Sequence, residues 1–153
     1  MGALMKYINR ISRCSVLFRN GKLEHEGING YQHVYIRNIC MEPGISQDCL
    51  AKSIYVNKSS VTRQLTLLEQ NGFITRTPSS KDKRVMQVFP TRKALDILPE
   101  IKRLSAEWES YITADLTEKE QSFFLSLLER MMEKAAEKVD KEVYKEEEKE
   151  DNE

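Results

Sequence analysis

Residues 57–93 hold the side chains that are best suited to contact a polyanion. This stretch has eight basic residues but only two acids, Glu69 and Asp82. The chain of 153 residues has a formal net charge of zero, yet nine acids and five lysines lie from Lys134 onward, so the residues before them carry a net charge of +4. A local basic excess of this kind favours binding to nucleic acid.

A helix over residues 58–70 would separate two kinds of side chain. Its apolar side has Val61, Leu65 and Leu68, which fall within about 60° of one another. The opposite side has short hydroxyls and one guanidinium, from Ser59, Thr62, Arg63 and Thr66. Short hydroxyl side chains permit close approach to a duplex, and Arg pairs bidentately with guanine. The alternative is an ordinary amphipathic surface helix, although such helices usually expose Glu/Lys pairs.

A charged loop follows between two segments with the composition of β-strands, residues 73–77 and 85–89. Lys81, Lys83 and Arg84 lie in this loop, where they could reach phosphates or the minor groove of DNA. Asp82 could orient Arg84 through a charge-assisted hydrogen bond. The alternative is a solvated charged turn.

The elements that position these residues form a predicted helix-turn-helix. Ser46 is a suitable N-cap for a helix over 47–54, and Asn57 or Lys58 begins a second helix that Asn71-Gly72 ends. The link Tyr55-Val56-Asn57 is so short that the two helices must cross steeply. The strands and loop after them make a β-hairpin wing.

Further helices are predicted on both sides of this domain. The first spans residues 4–18 and ends at Asn20-Gly21, and a second covers 29–41. After Pro90, Thr91 caps a long helix that Pro99 should kink or break, and Thr117 to Glu120 form a capping box for the last helix. Their apolar stripes are wider than one small winged domain can cover, which predicts a homodimer. A self-contained helical hairpin is the alternative.

Three segments resemble the MarR family of bacterial regulators: Gly44 to Ala51, Asn57 to Leu65, and Leu68 to Arg76. The run Asp82-Lys83-Arg84, six residues before Pro90, matches that family's Asp-x-Arg wing signature. Pro90 and Ala94 differ from the family pattern, in which Leu and Gly are usual. The resemblance implies a mainly α-helical fold with a small β-hairpin wing, whose N- and C-terminal helices intertwine in a dimer.

The implied organisation has an N-terminal dimerisation helix over 1–28, a winged helix-turn-helix over 29–91, C-terminal dimerisation helices over 92–142 and a frayed or disordered acidic tail over 143–153. The resemblance implies that Arg84 enters the minor groove, while Ser59, Ser60, Thr62 and Arg63 address the major groove. The full predicted set of DNA-contacting residues is Asn57, Lys58, Ser59, Ser60, Thr62, Arg63, Thr66, Arg76, Lys81, Asp82, Lys83 and Arg84. We therefore predict a transcriptional repressor on a near-palindromic duplex operator.

Members of this family often bind small aromatic ligands between the dimer helices and the winged domain. Candidates for lining such a crevice are Ile11, Tyr31, Tyr35 and Trp108, although a place in the core is the favoured expectation for all four. Other members sense oxidants through a cysteine, and Cys14 on the first helix is the candidate here. Buried, inert thiols are otherwise the default for Cys14, Cys40 and Cys49.

The sequence gives little support for other classes of function. The three cysteines have irregular spacing and only two histidines could join them, so no metal site is predicted. No nucleophile with a base, glycine-rich phosphate loop or carboxylate pair indicates an enzyme or a cofactor. No signal peptide or apolar run long enough for a membrane span is recognised, so we expect a cytoplasmic protein. A winged-helix protein-interaction module that does not bind DNA is the alternative from another class.

Overall fold

A computed structural model describes residues 2–144, so most of the acidic tail predicted over 143–153 lies outside the described residues. Contacts divide the chain into two compact units, a first that runs through Trp108 and a second that starts at Glu109. The elements of the first unit are α1 (Ala3–Leu23), α2 (His33–Met41), β1 (Ile45–Ser46), α3 (Gln47–Ile54), α4 (Lys58–Gln70), β2 (Ile74–Pro78), β3 (Met86–Pro90) and most of α5 (Arg92–Ile112). A short 3-10 helix, Glu24–Glu26, follows α1.

The core of the first unit is aliphatic and lies between the helices and one face of a small sheet. Leu50 of α3 and the three apolar residues predicted for α4 are buried there with Phe73, which is fully inaccessible to solvent. The sheet has the order β1-β3-β2 and is antiparallel throughout. Val88 in the central strand pairs with Ile45 on one side and Arg76 on the other. This packing holds the helix-turn-helix against the base of the hairpin.

Local signals in the sequence correctly give the ends of α3 and α4. The Ser46 hydroxyl accepts a hydrogen bond from the amide of Cys49 at 3.1 Å, and the Asn57 side chain accepts one from the amide of Ser60 at 2.8 Å. Gly72 has φ +77°, the left-handed conformation that glycine adopts without strain. β1 was not predicted, because a strand of two residues has no alternating pattern to recognise.

The first two helices differ from the prediction. α1 continues through Asn20-Gly21 to Leu23, because the Asn20 side chain is used in a tertiary contact: it accepts a hydrogen bond from the amide of Gly30. α2 begins only at His33, since Asn29 starts a turn in which its side chain accepts from the amides of Tyr31 and Gln32.

Pro99 does not break α5, which runs from Arg92 to Ile112. Proline removes one hydrogen bond to the carbonyl four residues earlier, here that of Leu95. Leu95 and Pro99 are both exposed, so water can solvate the carbonyl of Leu95. Ala94 is fully buried, which explains why a small residue is required at this departure from the family pattern.

The second unit contains the last turn of α5, α6 (Glu118–Val139) and a short π-helical turn, Asp140–Tyr144. α6 begins with the predicted capping box, in which the Thr117 hydroxyl accepts from the amide of Glu120 and the Glu120 carboxylate accepts from the amide of Thr117. None of the residues of α6 is buried, although its apolar side chains include Phe123, Phe124, Leu125, Met131 and Met132. Among the described residues, no helix combines the length and hydropathy needed to cross a bilayer.

Candidate nucleic-acid interface

The exposed face of α4 has the composition predicted from the sequence. Ser59, Thr62 and Arg63 are exposed, whereas Val61, Leu65 and Leu68 on the other side are almost completely inaccessible. Lys58 is exposed at the start of the helix, Ser60 is half-buried, and Thr66 is half-buried near the middle. Short polar side chains around Arg63, with Lys58 at the start of the helix, are thus open to a partner.

The threonines on this face are oriented as hydrogen-bond acceptors. Thr62 donates its hydroxyl proton to the carbonyl of Lys58 at 3.0 Å, and Thr66 donates to the carbonyl of Thr62 at 2.9 Å. A threonine hydroxyl has one donor and two acceptor lone pairs. Because the donors are used within the helix, these side chains offer a lone pair and a methyl group to a ligand. Exposed amino groups and methyl groups of DNA bases are suitable partners.

Asn57 fixes the start of α4. Its Oδ1 accepts from the amide of Ser60 and also from the Ser59 hydroxyl at 2.9 Å. This cap therefore orients Ser59 as well as the first turn. Tyr55, two residues before Asn57, has φ +53°, which gives the sharp turn between α3 and α4. Asn57 thus has a structural task beside its predicted contact with DNA.

The wing holds Arg84 in a defined position. Asp82 accepts hydrogen bonds from the Arg84 amide at 3.0 Å and from its Nε and Nη2 atoms at 3.1 Å each. These bonds lower the pKa of Asp82 and raise the pKa of Arg84. The Arg84 side chain nevertheless keeps 90% of its surface exposed, and Lys81 and Lys83 are exposed beside it. The predicted orienting contact of Asp82 is present, and the hairpin presents three cations to solvent.

Arg76 differs from the other predicted DNA-contacting residues. Its side chain is only 16% exposed and forms an ion pair with Glu69 at 2.7 Å. The Arg76 guanidinium also contacts Gln47, the first residue of α3. Sequence reasoning missed both Glu69 and Gln47. The signal for Glu69 was available, since it is the only acid in α4 and the first cation after it along the chain is Arg76, seven residues later.

The four candidates for an effector crevice lie in different environments. Tyr35 is buried in the core, and burial raises the pKa of its hydroxyl. Trp108 is half-buried and packs against Phe18, with ring centroids 5.4 Å apart. Ile11 and Tyr31 are 49% and 60% exposed. A shared crevice for these four side chains remains a prediction.

The expectation of buried thiols is wrong for two cysteines. Cys14 on α1 and Cys49 on α3 are exposed, because both lie on helix faces that no other element within residues 2–144 covers. Cys40 is half-buried, and desolvation raises the pKa of its thiol. Within residues 2–144, no group of three or more His, Cys, Asp or Glu side chains is placed to hold a metal ion.

Comparison with known proteins agrees with this arrangement. A sequence model of the MarR family matches residues 28–86. The HTH-type transcriptional regulator BilQ of Clostridium symbiosum is 30% identical over 115 residues, which are 75% of this chain and 80% of BilQ. The crystal structure of MarR superposes with a TM-score of 0.82 at 30% identity over 92% of this chain and 98% of MarR.

A solved DNA complex has the same fold. The structure of a MarR family transcriptional regulator from Listeria monocytogenes complexed with 26mer DNA gives a TM-score of 0.83 at 24% identity, over 90% of this chain and 92% of that one. These relatives are regulators rather than enzymes, as predicted, and they share the mainly helical winged fold with its small antiparallel sheet. The alternative of an interaction module without DNA binding is disfavoured by the similarity to BilQ, an HTH-type transcriptional regulator.

Proposed function

The chain belongs to the MarR family of winged helix-turn-helix transcriptional regulators, and we propose that it is a repressor that binds a near-palindromic operator as a homodimer. The observation that carries the proposal is the exposed surface formed by Ser59, Thr62 and Arg63 on α4, followed along the chain by the exposed Arg84 of the wing. A dimer presents two such surfaces, which suits two half-sites one helical turn apart. The bacterial chromosome is in the cytoplasm, so we propose that compartment.

The division of labour that we propose follows from side-chain chemistry. The hydroxyls of α4 and Arg63 read base edges in the major groove, and Arg84 inserts into the minor groove, where the negative potential favours a guanidinium. Lys81 and Lys83 contact phosphates, which position the protein without reading sequence. A small aromatic ligand bound by the regulator would release the operator by favouring a dimer with another spacing of its recognition helices.

A binding assay with the full chain tests the proposal. Duplexes from the gene's own upstream region and random duplexes of equal length are titrated at several salt concentrations. We expect specific binding that weakens with salt. The logarithm of the association constant should fall against the logarithm of the salt concentration, with a slope of roughly −0.9 for each phosphate contacted. Equal affinity for both duplexes, or an affinity independent of salt, would contradict the proposal. A thermal-shift screen with aromatic acids tests the ligand.

Arg63 gives a sharper test of base recognition. Arg63→Ala should reduce affinity for the operator by about 1–3 kcal/mol and should also reduce discrimination against random duplexes, because a bidentate base contact is lost. The two affinities are measured at one salt concentration. An equal loss on both duplexes would make Arg63 a phosphate contact.

Oxidant sensing is a second candidate, favoured by the exposure of Cys14 on α1. Hydrogen peroxide would transfer one oxygen atom to the thiolate, whose sulfur is oxidised to a sulfenic acid while the O–O bond breaks and hydroxide leaves. The test is operator binding after peroxide treatment, with Cys14→Ser as the resistant variant and Cys49→Ser as the matched control at the other exposed cysteine. A response that survives in Cys14→Ser would exclude this residue.

A further inference from the structure

Arg76 in β2 lies at the centre of a polar cluster that joins three elements. Its Nε and Nη2 atoms donate to Oε2 of Glu69 at 3.1 and 2.7 Å, and its backbone amide donates to Oε1 of the same carboxylate at 3.1 Å. Nη2 also donates to the Thr66 hydroxyl at 3.2 Å, and Nη1 donates to Oε1 of Gln47 at 3.3 Å. The cluster therefore connects α3, α4 and the first strand of the wing.

Most of the bonding capacity of Arg76 is used inside the protein. A guanidinium has five N–H donors, and four of them have partners in this cluster. The Glu69 carboxylate balances the charge of Arg76 and would repel a phosphate that approached it. The side chain is also mostly buried. These observations argue against a direct phosphate contact by Arg76.

The contact with Arg76 determines which way the amide of Gln47 points. A guanidinium has donors but no acceptor, so the carbonyl oxygen of Gln47 must face it. The NH2 group of Gln47 then points away, and it lies 3.5 Å from the Thr62 hydroxyl on the exposed face of α4. An amide held in this way places a donor beside side chains that otherwise offer acceptors.

We infer that Arg76 is a positioning residue for sequence recognition: held by Glu69, it fixes the Gln47 amide so that its NH2 group is offered to DNA beside Thr62. This inference rests on the proposed binding of DNA by α4. It makes Gln47 a further DNA-contacting residue and gives Glu69, an acid at a DNA-binding surface, a role in recognition.

The proposal predicts effects that differ from those of simple electrostatics. Arg76→Lys keeps the charge but cannot reach Glu69, Gln47 and Thr66 together, so it should reduce the ratio of specific to random affinity about tenfold. Glu69→Gln removes a negative charge and would strengthen DNA binding on electrostatic grounds alone. We expect it instead to lower the same ratio, because Arg76 loses its charged partner. Gln47→Glu still accepts from Arg76 but lacks the NH2 donor. Its added negative charge weakens binding to every duplex, so the informative quantity is again the ratio of specific to random affinity, which should fall.

The experiment uses an operator duplex selected by the wild-type protein from a randomised pool, and a random duplex of equal length. Affinities are measured from about 50 to 200 mM salt, the range over which counterion release is resolved. Arg103→Lys is the matched control, since Arg103 also bridges two acceptors, Glu100 and Glu107, on the exposed face of α5. We expect the control to keep the wild-type ratio and every variant to keep the wild-type salt slope.

Several outcomes would overturn the inference. A salt slope that is smaller by about 0.9 in Arg76→Gln, with near-normal binding by Arg76→Lys, would make Arg76 a phosphate contact. Tighter binding of both duplexes by Glu69→Gln with an unchanged ratio would remove the positioning role. Equal losses on both duplexes with a lower melting temperature would indicate a role in folding only. A wild-type protein that selects no sequence from the pool would instead refute the proposed function itself.

Discussion

Single side chains at the wing show how an exposed cation can be both ordered and available. Asp82 contacts the amide, Nε and Nη2 of Arg84, which leaves Nη1 without a partner among the described residues. A free arginine loses side-chain entropy when it binds. The contact with Asp82 removes part of that cost before DNA arrives, so an acid in a cationic wing is consistent with binding.

Arg84→Ala should weaken operator binding by about 1–3 kcal/mol, because the proposed minor-groove contact is lost. The fold should be unaffected, since the side chain is 90% exposed. Titration of the operator gives the affinity, and circular dichroism checks the fold. Asp82→Asn serves as the comparison and should cause a smaller loss, since the guanidinium remains but is less ordered. Wild-type affinity in Arg84→Ala with an intact spectrum would exclude a role for this residue.

His33 at the start of α2 is a titratable group whose burial affects stability. Its Nδ1 atom lies 2.9 Å from the carbonyl oxygen of Gly30. Desolvation lowers the pKa of His33 from 6.5 to about 4, and the nearby charges of Arg19 and Arg37 act in the same direction. The ring is therefore neutral in the folded protein near pH 7, with a proton on Nδ1 for the bond to Gly30.

This pKa shift predicts that the protein loses stability in mild acid. Between pH 6.5 and about 4 the unfolded state binds a proton at His33 that the folded state does not, so the free energy of unfolding falls as the pH falls. The contribution is complete above pH 6.5 and lost near pH 4. His33→Asn keeps an amide donor but does not titrate, so it should lose less stability between about pH 7 and pH 5 in urea unfolding. An equal loss in both proteins would place the effect on other groups.

At the scale of elements, the segment between α1 and α2 fits closely against α1. The amide of Gly30 donates to Asn20, and its carbonyl accepts from Nε of the buried Arg19 at 3.1 Å. A Cβ atom at residue 30 would lie only 2.4 Å from the carbonyl oxygen of Val16. Gln32, which is 2% exposed, then donates to Gln64 of α4 at 3.1 Å. Hydrogen bonds thus connect α1 to α4 through this segment.

Gly30→Ala should destabilise the protein by about 1–3 kcal/mol, because the backbone of α1 or the segment must shift to admit the methyl group. Gly21→Ala is the matched control: residue 21 is helical, and nothing lies within 4 Å of its Cβ position. Replacing a glycine inside a helix by alanine typically gains about 0.5–1 kcal/mol. Chemical denaturation measures both. Equal stability of the two variants would show that Gly30 does not fit as tightly as its geometry indicates.

The elements that the sequence predicted well are those whose signals are local. Ser46, Asn57 and Thr117 cap helices within three residues, and the spacing of Val61, Leu65 and Leu68 determines the inner face of α4 without reference to any other element. The end of α1 was missed because Asn20-Gly21 usually ends a helix, and only the distant Gly30 explains why this one continues.

The parts of the candidate site that depend on local signals could also be predicted from the sequence. The outward direction of Ser59, Thr62 and Arg63 follows from helical periodicity, and the contact between Asp82 and Arg84 follows from their proximity in a hairpin. The inward direction of the Arg76 side chain cannot be predicted in this way, because it depends on contacts with Glu69 and Gln47 from two other elements. Tertiary contacts override the local pattern at that position.

At the scale of the whole molecule, the unburied apolar surface is the main unexplained feature of the chain taken alone. Phe123, Phe124 and Leu125 on α6 are between 52% and 66% exposed, and Leu4 and Tyr7 on α1 are 56% and 60% exposed. Exposed apolar surface costs about 25 cal/mol for each Å² left in water. Single apolar residues scattered over a polar helix need no partner, but neighbouring exposed apolar side chains such as these indicate an interface.

A second copy of the chain is the partner that the proposed repressor requires, so Phe123→Glu should separate the dimer into monomers. The reason is that a carboxylate would be buried against apolar side chains of the partner. Light scattering after gel filtration should give twice the chain mass of 17.8 kDa for the wild type and a single chain mass for the variant. Met41→Glu is the matched control, because Met41 is 70% exposed at the end of α2, outside the dimerisation helices predicted from the sequence. It should remain dimeric. A dimer that survives Phe123→Glu but not Met41→Glu would place the interface on the winged domain and would leave the apolar face of α6 to another partner.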